Sequence, residues 1–219
     1  MNPRANLLRF LAVLGLLACL IPAIARTQPA ADTDSMIYGG VSTLYALDPL
    51  SSTLSFTDGK PGHVILNNRR FNRNSDINFG NYLKDGFSVG IEGGRYGTLI
   101  DLGTAEEFAK RNGFQETVGN GQGYASLHFE KDQLVTLKDY RTGEFQPLKE
   151  AGDLLSVPDP KKKHGESPAI AGHIYLARIT DRHDPGFELV VKFVCIAHTP
   201  NESATIRWEV LRRTEGTRR

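Results

Sequence analysis

The chain has 219 residues, 40% of them hydrophobic, and sets 26 Lys and Arg against 25 Asp and Glu for a formal charge of +1. So even a balance leaves no electrostatic footprint for nucleic acid or an anionic membrane surface, and neither partner is expected. The length suits one domain of ordinary size, able to bury a core unaided.

Residues 1–25 read as an export signal. Arg4 and Arg9 give a positive start, Phe10 to Ile21 an apolar run, and Ala23-Ile24-Ala25 a small-x-small site for a signal peptidase. The run is shorter than the roughly 20 residues of a spanning helix, and Pro22 interrupts it, so no membrane span is expected. Leu16-Leu17-Ala18-Cys19 is similar to the segment at which bacterial lipoproteins are cut and acylated, yet the apolar run continues beyond it to Ile24. Cleavage near Ala25 and a soluble secreted or periplasmic protein are therefore favoured over a lipid anchor at Cys19. That cleavage removes two arginines and no acid, taking the formal charge from +1 to −1. It also leaves Cys195 alone, so no intramolecular disulfide can form and packing must hold the fold.

Residues 26–35 are small and polar and read as a disordered spacer, and residues 36–211 as a single β-rich domain. Short β-like runs follow one another: Gly62–Leu66, Phe87–Ile91 and Thr98–Leu102. One short helix stands out, from about Ala105 to Arg111. Thr104 caps it, Glu107 completes a capping box, Phe108 anchors it and Asn112-Gly113 ends it. Tyr124 to Glu130 and Gln133 to Tyr140 flank Lys131-Asp132 as a hairpin, and Tyr140–Phe145 reads as a further turn. Residues 152–172, with Pro158, Pro160, Pro168 and the lysines 161–163, read as a long surface loop.

Three strands close the domain, at Ile174–Thr180, Leu189–Ala197 and Ala204–Leu211. The middle one is apolar on both faces apart from Lys192, which makes it central; the last alternates apolar and polar. Residues 212–219 hold four arginines and read as a basic tail. The expected architecture is mainly β: an antiparallel β-sandwich or jelly-roll-like single domain with one short helix.

Catalytic machinery is hard to assemble, and no cofactor is implied. There is no Gly-x-Ser-x-Gly elbow, and Cys195 lies in a core-strand pattern where a thiol is inert. The glycine clusters at 90–97 and 119–123 lack the strand–loop–helix context of a phosphate cradle and read as turns. Asp181-Arg182-His183-Asp184 is the densest group of metal ligands. Asp181, His183 and Asp184 are its candidate metal residues, although the same residues simply start a solvated turn.

The Asn- and Arg-rich stretch from Asn67 to Asn81 is the leading binding candidate. Asn72, Asn74, Asp76 and Asn78 offer paired donors and acceptors suited to sugar hydroxyls, and Tyr96 and Tyr124 offer rings on which a pyranose stacks. The expected function is an exported non-enzymatic binding module whose partner is a glycan or an envelope protein. The alternative is a secreted glycan hydrolase using two carboxylates across one groove, drawn from residues such as Glu92, Asp101 and Asp184.

Overall fold

The computed structural model describes residues 38–48, 51–60, 75–91, 94–116, 121–156 and 165–216. All the regular elements of these residues belong to one compact unit, Met36–Arg219. The leader, the spacer, the run at 62–66 and the lysines 161–163 lie outside the described residues.

The protein is mainly β and antiparallel, built on a five-stranded sheet. Its order is β1 (Gly39–Tyr45), β12 (Ser203–Thr214), β11 (Asp184–Thr199), β10 (His173–Asp181), β5 (Arg95–Thr104). β11 is the middle strand, as a strand apolar on both faces must be. Val191, Phe193 and Cys195 enter one core and Val190 the other, because alternate residues point to opposite sides. β12 runs further than the alternation suggested: Arg212 and Arg213 pair with Val190 and Leu189, so the expected tail begins as strand. Arg212 earns its place there through Glu188, 2.7 Å away, and through the Phe129 ring, whose centroid lies 4.0 Å from the guanidinium.

A second sheet covers one face of the first. It comprises β2 (Thr53–Leu54), β3 (Ile77–Phe79), β4 (Gly86–Val89) and β9 (Gly165–Pro168), in that order. Aromatic rings join the two layers. Phe87 sits edge-on to Tyr175 and Phe193 with centroids 5.4 and 5.2 Å away, and Phe56 meets Trp208 at 5.4 Å. β9 comes from the stretch 152–172, which therefore contributes an edge strand to the second sheet, where Pro168 interrupts no inner ladder. Gly165 passes so close to β5 that a Cβ there would stand 2.5 Å from the Leu99 nitrogen.

The opposite face carries α1 (Ala105–Asn112), α2 (Gln122–Ser126), α3 (Ala151–Leu155) and a small sheet of β6 (His128–Glu130), β7 (Gln133–Asp139) and β8 (Glu144–Pro147). Leu102, Phe108, Leu127, Leu134 and Leu154 pack there on Ile174, Leu176 and Val190. There are thus three short helices among the described residues where the sequence suggested one. α1 has its capping box: the Glu107 amide donates to Thr104 Oγ1 at 3.2 Å, and the Thr104 amide to Glu107 Oε2 at 2.8 Å. α2 replaces the first part of the strand expected from Tyr124. Its amides at Gln122 and Gly123 donate to the Glu116 carboxylate at 2.8 and 2.9 Å. Its far end is held by Lys192, whose Nζ donates to the carbonyls of Tyr124 and Leu127 at 3.0 Å each.

Candidate functional site

The C-terminus of α1 must find partners for its last carbonyls, which no further turn of helix satisfies. Gly113 takes a left-handed conformation, φ 83°, and its amide donates to the Ala109 carbonyl. Two other carbonyls are met from β8 and just beyond it. Lys149 Nζ donates to the Arg111 carbonyl, and Gln146 Nε2 to that of Asn112 at 2.5 Å. Arg111 Nε answers with Glu150 at 3.1 Å. These bonds stitch the β7–β8 hairpin to the helix end and set its tip opposite Gln115.

Between them lies an open groove of about 560 Å³, lined by Gln115, Lys138, Asp139, Tyr140, Arg141 and Glu144. That volume falls within the roughly 300–1,000 Å³ of small-molecule sites. Asp139 and Glu144 face each other across the hairpin, and directly opposed residues have Cβ atoms about 5 Å apart. Each acid is oriented: Lys138 Nζ donates to Glu144 Oε1 at 2.6 Å, and the Arg141 amide to Asp139 Oδ1 at 2.8 Å. The Tyr140 ring is 41% exposed beside them. Chemically this is a cluster of donors and acceptors on an exposed hairpin beside a tyrosine.

The residues singled out from sequence lie elsewhere. Asp76 is buried; its Oδ2 accepts from the Phe56 amide at 2.8 Å and its Oδ1 from Arg95 Nη1 at 2.7 Å. Burial pushes its carboxyl up to about 6, with Arg95 pulling the other way. Asn78 is buried too, donating to the Ser52 carbonyl at 3.3 Å and accepting from the Asn81 amide at 3.0 Å. Asn72 and Asn74 lie outside the described residues. Tyr96 follows Arg95 along β5 and so faces the side away from Asp76. Tyr124 is packed in the helical layer, its hydroxyl donating to the Arg207 carbonyl at 3.4 Å; burial raises its pKa well above the usual tyrosine value. Asp76 and Asn78 are therefore on one side of the central sheet, and Tyr96 and Tyr124 on the other.

The Asp181–Asp184 turn is held by its own bonds. Asp181 Oδ1 accepts from the His183 amide at 2.8 Å, His183 packs over Gly94, and Asp184 is a buried residue opening β11. Among the described residues no three His, Cys, Asp or Glu side chains gather as metal ligands. Of the acids considered for hydrolysis, Glu92 lies outside the described residues and Asp101 binds His173 Nδ1 through both oxygens at 3.0 Å. Asp101 and Asp184 are opposite Tyr175 and Asp181 of β10, which puts them about 20 Å apart along the strand. Asp139 and Glu144 share a groove instead, at the two ends of the turn that the sequence presents at Tyr140–Phe145. No family model matches this chain, and no curated protein or solved structure matches it.

Proposed function

We infer that this is an exported, non-enzymatic binding module that takes a glycan in the groove between α1 and the β7–β8 hairpin. Export rests on the leader-like pattern of residues 1–25. Binding is supported above all by the grouping of Gln115, Asp139, Arg141 and Glu144 around the exposed Tyr140 ring. Vicinal hydroxyls need donors and acceptors at fixed spacing, and the apolar face of a pyranose needs a flat partner.

The test is thermal unfolding of residues 26–219, which contain every described element, against a panel of oligosaccharides. A ligand at 100 times its dissociation constant stabilises by about 2.7 kcal/mol, a shift of several degrees at this size. Tyr140→Ala and Arg141→Ala should abolish that shift and leave the unliganded midpoint unchanged, since both side chains project from the hairpin tip. A shift that survives both substitutions, or none with any sugar, rejects the groove.

One observation favours hydrolysis as a second reading: Asp139 and Glu144 are paired across the hairpin and line the same groove. A general acid works best shielded from water, however, and the Glu144 side chain is 56% exposed. New reducing ends released from a bound oligosaccharide, and lost in Glu144→Gln while binding persists, would establish it over simple binding.

A further inference from the structure

The five-stranded sheet treats its two edges differently. At the β5 side, β4 and β9 close in: Gly90 and Gly165 touch the β5 backbone. At the β1 side no strand of the described residues pairs with the outer edge. Val210 donates its amide to the Tyr38 carbonyl, so even-numbered residues of β1 bond to β12 and odd-numbered ones face outward. Two further bonds agree with this parity, the Ala46 amide to the Glu202 carbonyl and the outward Tyr45 amide to the Ser51 carbonyl. Among the described residues the backbone groups of Gly39, Val41 and Thr43 meet no partner.

Exposed edges are ordinarily blunted by charge, proline or a bulge. The strand Gly39–Tyr45, GGVSTLY, has no charged residue and no proline, and its register with β12 is unbroken. Val41 and Tyr45 are 64% and 47% exposed on the face that the helical layer leaves uncovered, and Ile196 of β11 is 52% exposed there too.

We propose that β1 pairs antiparallel with β1 of a second copy of this chain, joining two five-stranded sheets into one of ten. With the two-fold axis at Val41, that residue bonds to its counterpart and Gly39 to Thr43 of the second copy. The charges permit it. Arg207 lies beside Val41 on β12, so the two Arg207 side chains stand three strand spacings apart, about 14 Å. Screening reaches about 8 Å at physiological ionic strength, so the like charges do not oppose closure. A second copy is also the one strand certain to match this edge in length and neutrality, and the two-fold merges the apolar patches around Val41 and Tyr45.

Light scattering and sedimentation of residues 26–219 across the micromolar range test the pairing, together with hydrogen exchange at Gly39, Val41 and Thr43. The expected result is a dimer whose three amides are protected. Val41→Lys and Thr43→Lys should each give a monomer with an unchanged circular dichroism spectrum and exposed β1 amides. A monomer at every concentration overturns the proposal, as does a dimer that both substitutions leave intact. Protected amides in a monomer, lost on deleting residues 26–35, would show the chain covering its own edge and would overturn it equally.

Discussion

Asp76 shows how one buried carboxylate binds distant parts of the chain together. It joins Phe56, beside β2, to Arg95 on β5, and Arg95 lies over the Phe187 ring at 4.3 Å. Desolvation outweighs the attraction of Arg95, and the carboxyl titrates at about 6 in the folded protein against 3.8 when free. A raised acid takes up its proton in the folded state first. Its contribution to stability is therefore most favourable below about pH 4, weakens as the pH rises to about 6, and is constant above that. Urea midpoints of the wild type and Asp76→Asn, compared at pH 4.5 and 7, isolate the effect. The wild type should gain on the variant as the pH falls, and a difference independent of pH would refute the assignment. Asp76→Ala should cost more than Asp76→Asn, about 1–3 kcal/mol, because it removes the buried acceptor of the Phe56 amide.

At the scale of elements, α1 owes its start to local chemistry. Thr104→Ala removes the side-chain acceptor of the capping box, and the expected loss is about 1 kcal/mol, or about 2–4 °C in the melting midpoint. An unchanged midpoint would mean that packing of Phe108 alone holds the helix. Because Thr104 and Glu107 lie three residues apart, α1 was legible in the sequence, as were the strands β4, β5 and β10, the two apolar faces of β11 and the alternation of β12. α2 was not. It has no side-chain cap; its first amides depend on Glu116 and its last carbonyls on Lys192, 65 residues beyond Leu127. Nothing local distinguishes Tyr124–Ser126 from the start of a strand. The groove was hidden for the same reason. Tyr140–Phe145 reads as an ordinary turn until Gln146 and Lys149 carry it to the end of α1, 34 and 38 residues back.

On the scale of the whole molecule, one sheet serves two cores. Tyr175 and Val191 pack toward the second sheet while their neighbours Leu176 and Val190 pack toward the helices. Neither core can lose its strands without the other losing its floor, so the domain should unfold in one step. Trp208 offers a sharp test, being the one tryptophan and buried in the first core against Phe56. Phe108 is buried in the second core, across the sheet. Phe108→Ala should cost about 3–5 kcal/mol through the cavity it leaves. If the cores are one cooperative unit, that loss lowers the urea midpoint of Trp208 fluorescence as much as that of far-ultraviolet dichroism. Phe87→Ala, a cavity on the tryptophan side, should likewise move both signals together. A fluorescence midpoint that stays put in Phe108→Ala while the dichroism midpoint falls would mean that the helical layer melts alone. The groove would then rest on a separately unstable shell, and ligand binding would stabilise that shell without protecting the two-sheet core.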